Sequence, residues 1–372
     1  MSNAPPPRAI TPAARLRGLR PYAPEPADTT IDLRLDANEG VQPGPDVLDA
    51  LQAITPEQLR RYPNAAPLES ELAASFGVDP SHIVVTNGGD DAIDRVCRAV
   101  LEPGRDLLTH APGFVMIPRS ARLAGADIRQ IEWGDEAFPE AELTSHLGTK
   151  TGLVALVTPN NPTGRVIDTP TILRIARAAA EMGSLVLVDL AYIEFADKAP
   201  TPRLLDEPNI VMIRTMSKAA GLAGARVGYA VAPTEIADWL RTVGAPFPVS
   251  SASLALAAEA SKRRQQRAVF IDSVRRQRTS LHDLLTELGG QPIESQANFV
   301  MSRFDNAAFV HRELAHAGIL VRRIAGSDAE AGYLRITLPG TDAEFDRLCD
   351  ALRKVLATAA STLPDTPEGR KP

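Results

Sequence analysis

The chain has 372 residues, with 40 Lys and Arg against 46 Asp and Glu and a formal net charge of −6. That length suits two lobes rather than one core, since domains usually run to ~100–200 residues. The acidic surplus is dispersed, which argues against a nucleic acid or an anionic membrane as main partner, because those need a concentrated basic field. The two cysteines, Cys97 and Cys349, match no metal or redox spacing. The first residues lack the apolar core of a signal peptide, and no run reaches the ~20 apolar residues of a membrane span. The expectation is a soluble, cytoplasmic protein without a metal.

Residues 1–35, rich in Pro, Ala and Arg, read as an N-terminal arm. From residue 36 to about 250, short apolar runs alternate with helical patterns, the signature of an α/β sheet with helices on its faces. Ile83-Val84-Val85-Thr86 is a buried-strand pattern that stops at Asn87-Gly88-Gly89-Asp90. Ile93, Val96, Cys97 and Val100 then fall on one helical face. Residues 153–157 lead into Thr158-Pro159-Asn160-Asn161-Pro162-Thr163-Gly164, whose prolines and glycine end the strand in a tight loop. Leu185-Val186-Leu187-Val188 runs into Asp189, at the carboxyl edge where such sheets place their ligands.

A fourth run, residues 210–213, ends in Arg214-Thr215-Met216-Ser217-Lys218-Ala219-Ala220-Gly221. After Pro246 and Pro248 the pattern changes to one long charged helical stretch over residues 251–288. Strands at 299–304, 319–324 and 333–338 follow, alternating with helices near 307–317 and 342–356. Residues 251–360 therefore read as a smaller α+β domain, and 361–372 as a disordered tail. No repeat of solenoid period occurs.

Alone, Asp189 would be a helix N-cap and Lys218 a surface lysine. Together the strand ends meet the needs of one cofactor, pyridoxal 5'-phosphate (PLP). It requires a lysine for a Schiff base, a carboxylate that keeps the pyridine nitrogen protonated, and an anion site for its phosphate. Lys218 and Asp189 supply the first two. The helix start at Gly89-Asp90, with Ser217 and Arg226, suits the phosphate, because free N–H groups and the helix dipole face an anion there.

Several segments go further. They are Arg61-Tyr62-Pro63, residues 86–90, Asn160-Asn161-Pro162-Thr163-Gly164, Asp189-Leu190-Ala191-Tyr192-Ile193-Glu194-Phe195, residues 214–218 and residues 221–229. Over nearly its whole length the chain resembles the fold type I aminotransferases, and within them the histidinol-phosphate aminotransferase family. The resemblance implies a large PLP-binding domain on a mostly parallel seven-stranded sheet flanked by helices, plus a smaller α+β domain. It implies that Lys218 holds the cofactor and shuttles the substrate proton, that Asp189 pairs with the ring nitrogen, and that Asn161 and Tyr192 bond the ring oxygen. Phe114 would stack on the ring. Gly89, Asp90, Thr215, Ser217 and Arg226 would hold the phosphate, with Tyr62 reaching over from a second subunit of a homodimer. Arg335 would bind the substrate α-carboxylate through its planar fork. Arg322, with Tyr22 and Asn38, would face the distal group.

The implied reaction is ping-pong transfer of an amino group between an amino acid or amine, histidinol-phosphate-like, and a 2-oxo acid such as 2-oxoglutarate. This sequence departs from the family's pattern at Leu190, at Asn38-Glu39-Gly40-Val41 and at Pro112-Gly113-Phe114-Val115-Met116-Ile117, close to the pocket that would read the side chain. An aromatic or specialised amino acid is therefore an alternative substrate. A decarboxylase similar to the threonine-phosphate decarboxylases is an alternative reaction, since orientation at the α-carbon decides which bond breaks. A non-catalytic binding module is disfavoured, because the arm carries no helix-turn-helix pattern. No G-x-G-x-x-G follows a strand to suggest a nicotinamide enzyme.

Overall fold

A computed structural model describes residues 10–22, 30–197, 202–325 and 331–362. Of the expected arm, residues 1–9 and 23–29 lie outside the described residues, and of the expected tail, residues 363–372. Among the described residues twelve strands alternate with helices: β1 Leu33–Leu35, β2 Ile83–Thr86, β3 Asp106–Ala111, β4 Asp127–Glu132, β5 Thr151–Val157, β6 Leu185–Asp189, β7 Ile210–Thr215, β8 Gly228–Val231, β9 Gln291–Pro292, β10 Phe299–Phe304, β11 Ile319–Ala325 and β12 Gly332–Thr337.

Seven strands form one sheet in the order β2-β8-β7-β6-β5-β3-β4, parallel except where β8 runs against β7 and β2. Every residue of β5 and β6 is buried. This is why these strands read as continuous apolar runs: helices cover both faces of the sheet. Val154 and Leu156 pack on one side with Ile172 and Ile175 of the Thr169–Glu181 helix. Leu153, Ala155 and Val157 point the other way, against Ile93 and Val96 of the Gly88–Val100 helix. Their alternation is the period of two that any strand imposes.

The second sheet has the order β1-β11-β12-β10-β9 and is covered by the helices Arg264–Glu287, Ala307–His316 and Asp342–Thr362. Its β1 comes from the start of the chain and pairs in parallel with β11, Leu33 opposite Ile319. The helical stretch expected over 251–288 is two helices, Ser251–Lys262 and Arg264–Glu287. Arg263 separates them, with φ −85° and ψ 46° outside the helical region. Leu254, Ala257 and Ala260 of the first helix belong to the core of the large sheet, whereas Phe270, Val274 and Leu281 of the second belong to that of the small one. One straight helix could not serve both. Tyr192, Phe195 and Ala219, from loops at the carboxyl edge of the large sheet, pack into the small-sheet core, so that edge faces the second sheet. No helix among the described residues is long and apolar enough to cross a membrane.

Candidate active site

Asp189 ends β6 and is 4 % exposed. One carboxylate oxygen accepts the Ala191 N–H at 3.0 Å. Burial lifts its pKa to about 7; that hydrogen bond lowers it, the charge of Asp90 raises it and that of Lys218 lowers it. A carboxyl in this setting is an acid in search of a cation. Lys218 lies three residues beyond β7, near enough for its charge to act on Asp189. Its Nζ donates to Ala37 O at 3.2 Å and sits 5.6 Å from the centre of the Tyr192 ring. Among the described residues it forms no ion pair with a carboxylate.

Two loops cross beneath this lysine. A Cβ on Gly40 would come within 2.0 Å of Lys218 O, and one on Gly221 within 2.2 Å of Val41 O. Gly221 also has φ +66°, so both positions demand the residue without a side chain. The crossing ties the lysine loop of the large sheet to the segment after β1.

The expected phosphate residues meet at the start of the Gly88–Val100 helix. Thr215 Oγ1 donates to Ser217 Oγ at 2.9 Å and accepts the Ser217 N–H at 3.1 Å. A Cβ on Gly89 would touch the Thr215 side chain at 3.8 Å, and one on Gly88 would meet the Arg226 guanidinium at 2.6 Å. Arg226, left-handed at φ 52°, reaches Asp90 at 3.3 Å. Gly228 brings β8 so close that a Cβ there would strike Gly89 N at 2.6 Å. The result is a rim of helix N–H groups, two hydroxyls and one arginine.

On the opposite wall, β11 pairs with β12 so that Arg322 stands directly across from Arg335. Arg335 donates to Asn161 Oδ1 at 2.6 Å and to Asp36 O at 2.5 Å. Burial first, and then the charge of Arg322, push its pKa down, while Tyr192, Asp36 and Tyr22 act the other way. Tyr22 is thus within electrostatic reach of Arg335, although it is largely exposed. Phe114 lies half-buried against the core on the face of the large sheet that the Gly88–Val100 helix covers.

Asn38, expected in the substrate pocket, is buried and faces Tyr192. Its Nδ2 donates to Tyr192 Oη at 3.1 Å, and its Oδ1 accepts the Thr337 hydroxyl at 3.0 Å. Asn298 Nδ2 donates to its backbone carbonyl at 3.2 Å. Tyr62 is not brought to the other site residues within one chain. It is 80 % exposed and stacks on Phe247, with ring centres 4.6 Å apart and planes at 12°.

Thr337, Asn298 and His110 bond to residues around the site, yet the sequence pattern alone assigns them no role. Thr337 had a signal, since it lies two residues beyond Arg335 and shares its strand face. Asn298 and His110 had none beyond being polar residues within apolar surroundings. A groove of about 810 Å³ between the outer edges of the two sheets, lined in part by Trp133, Arg165, Gln291 and Tyr333, contains none of the expected site residues.

A lysine near a buried acid, a rim of N–H groups and an arginine fork thus gather at the carboxyl edge of the large sheet, the donor types that PLP requires. The chain belongs to the class I and II aminotransferase family, whose profile matches residues 31–352. It is 36 % identical over 300 residues to a histidinol-phosphate aminotransferase of Caldanaerobacter subterraneus subsp. tengcongensis, covering 79 % of this chain and 84 % of that one. A solved histidinol-phosphate aminotransferase from Sinorhizobium meliloti, in complex with pyridoxal-5'-phosphate, superposes with a TM-score of 0.80 at 27 % identity over 88 % of this chain and 92 % of that one. A double mutant of the aspartate aminotransferase of Thermus thermophilus shares the fold, with a TM-score of 0.79 at 22 % identity over 95 % of this chain and all of that one. The protein is a PLP-dependent transaminase of fold type I, and the donor set fits the cofactor: the buried acid calls for a protonated ring nitrogen, and the close approach of Gly228 to Gly89 leaves backbone where a phosphate needs it.

Proposed function

We propose that this chain moves an amino group from an amine carrying a distal anion, of the kind named in the histidinol-phosphate aminotransferases, to a 2-oxo acid such as 2-oxoglutarate. The carrying observation is the register that sets Arg322 opposite Arg335. Like charges in directly opposed strand positions repel and destabilise a sheet. Their retention at the site wall is explained by anionic substrates in both half-reactions: the phosphate of the amine, which has no carboxylate of its own, and the two carboxylates of glutamate or 2-oxoglutarate.

Bound PLP supplies an electron-withdrawing ring that stabilises negative charge developing at the substrate carbon. In this reading Lys218 Nζ would anchor the cofactor and, as a free amine, would move the proton between that carbon and the cofactor's aldehyde-derived carbon. Asp189 is the counter-ion that keeps the ring nitrogen protonated, a role its buried setting favours only when a cation faces it. The Tyr192 hydroxyl, held by Asn38, and the Asn161 amide donate to the ring oxygen. Arg335 already binds Asn161 Oδ1, which leaves the Asn161 N–H₂ to point elsewhere. Phe114 covers one face of the ring. Gly89, Asp90, Thr215, Ser217 and Arg226 hold the phosphate.

Tyr62 completes the phosphate site from a second copy, so the working form is a homodimer. Its exposed stack on Phe247 supports this, because two large exposed rings side by side are an unfinished apolar surface. The free cysteines Cys97 and Cys349 fit a reducing compartment such as the cytoplasm.

The deciding experiment mixes the purified holoenzyme with glutamate, histidinol phosphate or an aromatic amino acid and follows the cofactor absorbance. Conversion to the amino form by glutamate and by histidinol phosphate is expected, reversed by 2-oxoglutarate. No conversion with any of the three, or stoichiometric release of carbon dioxide in its place, sinks the proposal.

A further inference from the structure

The ladder of β3 on β5 ends at Thr109 opposite Ala155, while β3 stays paired with β4 as far as Ala111. Beyond the last β3–β5 pair, the Val157 N–H donates to a side chain, Nε2 of His110, at 3.2 Å. An amide N–H can only donate, so Nε2 accepts and the ring proton sits on Nδ1. That N–H is 3.2 Å from Pro112 O, which also receives the Asn160 Nδ2 donor at 3.1 Å. Val157 is in turn the register partner of Asp189.

The imidazole is 1 % exposed and meets Trp133 and Phe138 edge-on, with ring centres 5.3 and 5.7 Å away. Water therefore does not compete for either nitrogen, and packing holds the ring in one orientation. Burial depresses its pKa to about 4, opposed by the bond to Pro112, so the neutral tautomer persists at working pH. Gly113 lets the loop lie flat on the strand end, since a Cβ there would come within 2.8 Å of His110 O.

We infer that His110 is a positioning residue for the cofactor site: its imidazole clamps residues 112–114, and with them Phe114, to the end of β5 beside Asp189. Breaking the clamp frees the ring-stacking residue without touching the lysine, the acid or the anion rim. The inference rests on the stacking role proposed for Phe114. It does not depend on which amine is the substrate.

The test uses the full-length protein and three substitutions. His110→Leu removes both hydrogen bonds, His110→Asn keeps a donor near Nδ1 for Pro112 O, and His110→Gln keeps an acceptor near Nε2 for Val157 alone. PLP affinity by absorbance titration, circular dichroism of the bound cofactor, and amide exchange of residues 113–115 in the cofactor-free protein are the readouts. Loss of buried hydrogen bonds at a loop that contacts the ligand should raise the PLP dissociation constant about tenfold in His110→Leu. The cofactor dichroism should weaken and exchange of the loop should quicken, with His110→Asn restoring most of both and His110→Gln little. On a Phe114→Leu background the same His110 changes should move PLP affinity less than about threefold, because the residue they position is gone. Two results overturn the inference: lowered stability with unchanged affinity and dichroism, or an equal effect with and without Phe114. Should His110→Leu not fold, the Asn and Gln variants decide, and equal affinities in those two overturn it as well.

Discussion

At Asp189 a single carboxyl is held at a pKa of about 7, chiefly by burial. The folded value lies above the ordinary one, so the cofactor-free fold favours the protonated acid, and its stability falls as pH rises from about 4 through 7. Asp189→Asn has no proton to lose. At pH 8 the cofactor-free Asn variant should therefore be more stable than the parent by on the order of 4 kcal/mol, a gap that closes below pH 4. Urea unfolding across that range measures it, and a parent whose stability is flat would refute the account of the site. With PLP bound the order reverses, since a neutral amide cannot pair with a protonated ring: turnover should drop by roughly two to four orders of magnitude. Lys218→Ala belongs to the same scale. It should abolish the cofactor band that borohydride otherwise fixes to the protein, and a reducible band in that variant would assign the anchor to another lysine.

Between elements, the crossing of residues 38–41 with 218–221 concentrates the largest effect in the smallest residues. Gly221→Ala forces a Cβ to within 2.2 Å of Val41 O at φ +66°. It should cost roughly 3 kcal/mol of stability and weaken PLP binding together, because the displaced loop carries Lys218. A variant with parental melting and parental cofactor affinity would show that the crossing has slack. This contact also marks where local patterns stop being informative. The strands β5 and β6 are plain in the sequence because both their faces are buried, and Asp189 stands out because it ends such a run. Lys218 follows from the same rule, one strand later. Asn38 and Thr337 are 299 positions apart, and only the parallel pairing of β1 with β11 brings them together. The break at Arg263 was hidden for a similar reason: its sequence is uniformly helical, and the bend comes from two cores that the helices must serve separately.

For the whole molecule, the exposed Tyr62 and Phe247 pair predicts a site shared between copies. Tyr62→Ala and Lys218→Ala should each be nearly inactive alone. When the two are unfolded and refolded together, half of the dimers formed carry one intact site, so about a quarter of parental activity should return. Activity that stays at the level of the separate variants would place Tyr62 outside the catalytic assembly.

The position of β1 has a further implication. This strand leaves the ribosome before any part of the large sheet, yet its only strand partner among the described residues, β11, is made about three hundred residues later. Until then Asn38 lacks its hydrogen bonds to Thr337 and Asn298, so the amide that steadies Tyr192 is not yet held. Strands β1 and β11 thus act as a late latch: the nascent large sheet holds the lysine and the acid, but only a chain extended past β11 sets Asn38 beside them.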